Sequence, residues 1–233
     1  MAPRLFFPRR LTEMNYTLSI DRSTPHGSWA LFGNGTMMES ASFEEALPRS
    51  PTWFPAILQG LAVHGLAPRD IGEYIVGTGP GSFSGIRAVI AALQGLALPE
   101  STPVLGVQSA AALAFAESKR EGAASVTIVG DARRGTLWLA AFDFTAATAA
   151  TVAAPPSLVK AGELAAHIRP GALVVSPEYT KLAAALEDAA AQAGAKTISH
   201  DGVVTAEDVA RLYLAYPAAA VRDPLPVYLH PAV

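Results

Sequence analysis

Gly77-Thr78-Gly79-Pro80-Gly81-Ser82-Phe83-Ser84-Gly85-Ile86-Arg87 decides how the rest of the chain is read. Ile75 and Val76 before it end a buried strand. Glycine reaches positive φ without a steric cost and proline fixes φ near −65°, so the stretch is a tight loop. Behind it, Ile86, Val89, Ile90, Leu93 and Ala97 recur at helical spacing and predict a helix over 84–98. The other side of that helix carries Ala88, Ala91, Ala92 and Gly95, small and uncharged. A surface helix normally opposes its core face with charge. This one is expected to be covered on both sides.

Composition sets the outer bounds. The chain has 233 residues, 51% of them apolar, and a net charge of −3. That is enough for a sizeable core, in one large domain or two small ones sharing a cleft. No basic tract suited to nucleic acid and no apolar run long enough for a membrane span is found. There is no cysteine, which excludes disulfides and thiolate metal sites and fits a reducing cytoplasm. Residues 1–13 are Pro/Arg-rich without periodicity, and Met14 directly precedes the first strand. We expect 1–13 to be an upstream, non-native or disordered extension.

Around the loop the chain reads as alternating strands and helices. Tyr16–Asp21, Ser28–Phe32 and Thr36–Ser40 form a meander whose second turn is Asn34-Gly35, a strong hairpin signal. After a linker at Pro48–Pro51, a helix is predicted over 52–64, with Phe54, Ile57, Leu58 and Leu61 on one face and Trp53, Ala56, Gly60 and Val63 on the other. Ile71–Val76 leads into the glycine loop. Val104–Val107 follows, with a helix over 110–118 for which Ser109 is the expected cap. Ser125–Gly130 delivers Asp131 to a turn and Thr136–Phe144 returns, repeating the opening pattern. Ala146–Pro156 reads as a loop, and 158–169 as containing a short helix. A strand at 172–176, a helix at 179–193 and a strand at 196–199 follow. Thr205–Asp208 opens a last helix as a capping box, and Pro224–Pro231 is extended.

Asp21-x-Ser23-Thr24, the glycine loop through Arg87, Gln94-Gly95-Leu96-Ala97, Asp131-Ala132-Arg133 and Pro226-Val227-Tyr228-Leu229 occur in that order over nearly the whole chain. This combination resembles the TsaB (YeaZ) family. The resemblance implies an α/β, two-lobed actin/Hsp70/sugar-kinase-like (ASKHA) fold with a duplicated mixed sheet. It divides the chain into a first lobe at 14–118 and a second at 119–233, whose last segment can pack back on the first. It implies a non-catalytic cytoplasmic subunit in threonylcarbamoylation of adenosine 37 of tRNA. Its partners would be a TsaD-like transferase and a TsaE-like ATPase, with homodimers when alone, tRNA reached only through the complex and no membrane contact. The surface implied for the partner is built from the two N-terminal helices. On those helices the small and apolar flank, Trp53, Ala56, Gly60, Val63, Ala88, Ala91, Ala92 and Gly95, is the expected interface. Arg49-Ser50-Pro51-Thr52 lacks the histidine that many relatives carry there, and Arg22 stands where threonine is common.

The chemistry is weighed beside this. Asp21, Ser23, Thr24, Gly79, Gly81 and Asp131 are candidates for a degenerate nucleotide cleft, with ATP or ADP at the cleft or at a partner interface. The plain alternative is that Asp21 and Ser23 bond loop backbone, and that the two helices are ordinary central helices. No two of the five histidines, His26, His64, His167, His200 and His230, share a metal-ligand spacing, and no G-x-S-x-G occurs. No catalytic residue and no required cofactor is therefore assigned. The other function classes are a stand-alone ATP-binding or hydrolysing enzyme of the same fold and an inactive glycoprotease-like regulator.

Overall fold

The computed structural model describes residues 15–44, 53–146 and 149–229. The extension at 1–13, the linker at 48–51 and the start of the first predicted helix lie outside them.

The strands gather into two mixed sheets of the same design. The first contains β1 (Tyr16–Asp21), β2 (His26–Gly33), β3 (Thr36–Glu44), β4 (Ile71–Gly77) and β5 (Val104–Val107) in the order β3-β2-β1-β4-β5. The second contains β6 (Ser125–Asp131), β7 (Thr136–Ala146), β8 (Ala149–Lys160), β9 (Leu173–Val175) and β10 (Lys196–Thr197) in the order β8-β7-β6-β9-β10. In both, the first three strands are an antiparallel meander and the last two run parallel to the first. A short β11 (Ala220–Arg222) adds an antiparallel edge to β5. Asn34 and Gly35 both take positive φ, as the expected two-residue hairpin requires.

The helices are α1 (Trp53–Val63), α2 (Phe83–Ala97), α3 (Ser109–Glu121), α4 (Tyr179–Ala193) and α5 (Ala206–Ala215). Helices α1 and α2 cover one face of the first sheet, where Ile57, Leu61, Val89 and Leu93 meet Leu18, Ile20, Tyr74 and Val76. Helices α3 and α5 take the opposite face. Ala206 and Ala210 pack on Ala30 and Phe32. One core continues from Ile75 and Val107 through α3 to Val126, Ile128 and Phe142 of the second sheet. Leu186, Ala189 and Ala190 of α4 close the second sheet's far side over Val129 and Val174.

Three local expectations are corrected. The stretch 146–156 continues a hairpin: β8 pairs with β7 from Ala149 to Lys160. Its alanines and prolines carry no strand signal, but β8 is an edge strand, where a missing N–H is tolerated. The predicted cap Ser109 is the first residue of α3 behind Gln108, and its hydroxyl is used elsewhere. On α1 the inward positions are Trp53, Ile57, Gly60 and Leu61, so Trp53 and Gly60 leave the outward face assigned to them. Gly60 is there because a Cβ would lie 2.4 Å from the Trp29 ring. Trp53 packs against Phe43 and Phe54 with Arg22 over its ring. Burying the indole gains more apolar area than burying Phe54 would.

Candidate functional site

The two strands that begin the sheets, β1 and β6, end at the same cleft. At the first tip the Asp21 carboxylate turns inward. Its Oδ1 accepts from the Ser23 amide at 2.8 Å and the Ser23 hydroxyl at 2.7 Å. Its Oδ2 accepts from the Ser109 hydroxyl at 2.6 Å, and Ser109 Oγ in turn accepts from the Gly79 amide at 2.9 Å. Asp21 thus ties β1, the glycine loop and the start of α3 together, fully buried. Burial pushes its carboxyl above the ordinary value, against the pull of the Ser109 and Ser23 bonds. Gly77 leaves room for it, since a Cβ there would fall 1.7 Å from Oδ2. Gly81, with φ 158°, lets the Ser82 amide reach the Ser23 carbonyl at 2.7 Å, where a Cβ would stand 2.0 Å from that oxygen. The loop glycines serve close approach of the chain to itself.

At the second tip the same backbone device recurs, with Asp131 Oδ1 accepting from the Arg133 amide at 2.9 Å. Arg133, Arg134 and Gly135 all take positive φ in the turn that follows. Here the outer oxygen, Oδ2, is bonded by the Lys181 ammonium, which holds the Asp131 carboxyl below its ordinary range. Glu178 accepts from the Asp131 amide at 2.6 Å, and Asp201 accepts from the Thr180 amide at 2.7 Å in the first turn of α4.

Between the tips lies a cleft of about 1660 Å³. Of the six cofactor candidates, Ser23, Thr24, Gly81 and Asp131 line it, while Asp21 and Gly79 are buried and not part of its lining. Lys181, Glu178, Arg133, Asp201, Phe83 and Tyr228 also line it. None of these was assigned from sequence. Lys181 and Glu178 belong to the opening of an unremarkable alanine-rich helix, and Tyr228 was visible only as part of the terminal motif. Among the described residues no group of three His, Asp or Glu could hold a metal ion.

A second surface lies on the helices. Ala56, Ala88, Ala91 and Gly95 are exposed, Ala92 is half-buried, and Val63 and Leu98 are 74% and 77% exposed. Among the described residues nothing lies within 4 Å of where a Gly95 Cβ would be. A groove of about 780 Å³ continues from Ala91, Gly95 and Leu98 to Arg222 and Pro224.

Two copies of one strand order, each with an aspartate at the tip of its first strand, define an actin-like two-lobed protein. A family model described as TsaD, tRNA N6-adenosine threonylcarbamoyltransferase, matches residues 50–222. The tRNA threonylcarbamoyladenosine biosynthesis protein TsaB of Escherichia coli is 36% identical over 127 residues, 54% of each chain. The protein of that name from Haemophilus influenzae is 34% identical over 118 residues, 50% of this chain and 49% of its own. The chain spans about half the length of these curated relatives. The solved structure of YeaZ from Pseudomonas aeruginosa superposes with a TM-score of 0.72 at 24% identity, over 93% of this chain and all of that one, and so shares the fold. The chain belongs to the family that the matching model describes, within which its relatives are the TsaB (YeaZ) proteins. No helix among the described residues is long and apolar enough to cross a membrane.

Proposed function

We propose that this chain is a non-catalytic subunit in the biosynthesis of threonylcarbamoyladenosine at adenosine 37 of tRNA. It binds a TsaD-like transferase through the outward flank of α1 and α2, and pairs with a second copy through the same flank when alone. A TsaE-like ATPase and the tRNA are reached through that complex, in the cytoplasm.

The observation that carries this is Gly95. Glycine inside a helix is worse than alanine by about 1 kcal/mol, and among the described residues no atom comes near the missing Cβ. The reason for it then lies outside the chain, in a close-packed neighbour. Ala88 and Ala91 keep the same flank low, and Val63 and Leu98 supply apolar area at its ends. Of the interface set, Ala56, Val63, Ala88, Ala91, Ala92 and Gly95 retain this role in our reading. Trp53 and Gly60 support the helix from behind.

The cleft supports the non-catalytic part. A phosphoryl-transfer enzyme needs a carboxylate free to hold a metal or to act as base. Asp21 is enclosed by its own hydrogen bonds, Asp131 is bonded by Lys181, and Glu178 and Asp201 each accept a backbone amide. The stand-alone ATPase predicts calorimetric binding of ATP with magnesium, with turnover; we expect no turnover.

Gly95→Ala and Ala91→Glu test the interface together. Gly95→Ala should raise the stability of the monomer by about 1 kcal/mol and yet weaken the complex with the transferase on size exclusion. Ala91→Glu, on an exposed site, should leave the fold intact and abolish the complex. Both variants binding as the parent does would refute the face.

A further inference from the structure

We propose that Pro224–Leu229 is a strap that opens and closes over one wall of the cleft, and that its position is coupled to α2. The coupling to a bound partner rests on the partner face proposed above. The strap itself does not.

Asp223, at φ 55°, follows β11 and turns the chain away from the sheet edge. From there the segment crosses the tips of three elements. Pro224 lies against β5, where a Cβ on Gly106 would stand 2.7 Å from the proline Cβ. The Val227 amide donates to the Thr78 carbonyl at 2.9 Å, just past β4. The Tyr228 ring rests on Phe83, the first residue of α2, at 5.5 Å between centroids, and the Arg87 guanidinium lies over Phe83 at 5.0 Å. Tyr228, Phe83 and Arg87 therefore form one stack on the first turn of α2. Leu229 is partly buried against the core shared by the two sheets.

The attachment is uneven for a segment that forms a wall of a large cleft: Pro224 is buried and Pro226, Val227 and Leu229 are half-buried, while Leu225 and Tyr228 face solvent. Leu225, Tyr228 and Phe83 are each more than half exposed, and among the described residues the Val227–Thr78 bond is the one backbone bond between the segment and the body. Segments with few buried contacts and solvent-facing hydrogen bonds open locally, far below the cost of global unfolding. Opening would bare the Thr78 carbonyl and widen the cleft. It would also remove the ring packed on Phe83, and with it a restraint on how α2 starts. Helix α2 carries the proposed partner flank two turns further on. A partner that prefers one setting of α2 then shifts the strap, and the strap shifts the partner's affinity by the same factor.

Residue-resolved hydrogen exchange on the full chain decides the matter. In the free protein the Val227 amide should exchange about 100-fold faster than the amides of β4. Tyr228→Ala should speed it about 10-fold more, together with the amides of 84–87, leaving α4 and β6 unchanged. Exchange of Val227 at the rate of β4, or a uniform rise everywhere in the variant, would overturn the strap. Should Tyr228→Ala fail to fold, the parent's Val227 rate against β4 still decides. A second arm adds the TsaD-like subunit and reads complex formation by size exclusion beforehand. A complex in which Val227 protection changes by about 5-fold or more supports the coupling. A complex with unchanged protection overturns the coupling and leaves the partner reading standing. No complex overturns the partner reading and the coupling with it, while the free-chain rates still decide the strap.

Discussion

Asp21 and Asp131 hold matching places in two copies of one sheet, and their surroundings are opposite. Each ends the first strand of its sheet and accepts the amide two residues on. There the likeness stops. Asp21 is enclosed, and three hydrogen-bond donors from Ser23 and Ser109 satisfy its carboxylate. Asp131 stands at the cleft wall and meets a lysine. Burial pushes one carboxyl up, and the other is pulled down by an ammonium. A repeated backbone turn thus says where an aspartate will be, and its neighbours decide what it does. The first tip works as a structural knot, the second as a surface ion pair.

The sharpest way to break this contrast is at the knot. Gly77→Ala would drive a methyl to within 1.7 Å of Asp21 Oδ2, with Ser109 Oγ at 2.7 Å. Neither atom ends a flexible chain, so β4 or the carboxylate must move. We expect a loss of about 3 kcal/mol, measured by urea unfolding. A loss under about 1 kcal/mol would show the knot to be loose. Asp21→Ala comes next, at about 2 kcal/mol, because Ser109 and the Ser23 amide lose their acceptor in a buried place. The loss is moderated because a buried carboxylate goes too. Asp131→Ala should cost clearly less than Asp21→Ala, since its partner Lys181 is solvent-exposed and can be hydrated instead.

The pH dependence of the two tips should run in opposite directions. The folded state raises the pKa of Asp21, so it holds that proton more tightly than the unfolded chain does. Its contribution to stability is therefore largest below the ordinary value of 3.8 and is lost as pH rises through the raised folded value. Asp21→Asn removes this slope. As pH rises above the ordinary value of 3.8 the variant should gain on the parent, read as the difference of their unfolding free energies. A difference that stays constant with pH would mean that Asp21 is not the group responsible. Asp131, whose pKa is lowered, contributes in the other sense: its share is present above 3.8 and is lost as pH falls through the lowered value.

Legibility in the sequence followed the range of the interaction that decides each feature. Asn34-Gly35, the glycine loop and Thr205 with Asp208 are local devices. The hairpin formed, and so did the capping box, with the Asp208 amide on Thr205 Oγ1 at 3.1 Å. The repetition of strand, aspartate and return was enough to read two copies of one sheet. What failed was set from a distance. Trp53 turned inward because Phe43 and Arg22 stand beside its indole. Gly60 accommodates Trp29 from another strand. Ser109 left its cap for Asp21, 88 residues away. Strand β8 formed from a sequence without strand propensity because β7 offered it a free edge. The cleft's second wall, Lys181 with Glu178, came from a helix whose opening turn carries no motif.

The smallest expected effect is also the cleanest separation of the two tips. Lys181→Met keeps the length of the side chain and removes its ammonium. The bond from Lys181 does most to lower the pKa of Asp131, and the Arg133 amide comes second. The variant should therefore return the Asp131 carboxyl toward 3.8 without reaching beyond it, because the backbone bond remains. Carboxyl carbon shifts in an NMR titration would follow both aspartates at once. Asp131 should move up and Asp21 should not move, since its donors, Ser23 and Ser109, are untouched. An unmoved Asp131 would mean that the turn, and not the lysine, sets the second tip. A shift at Asp21 would mean that the two tips are coupled across the cleft, and the division into knot and ion pair would no longer hold.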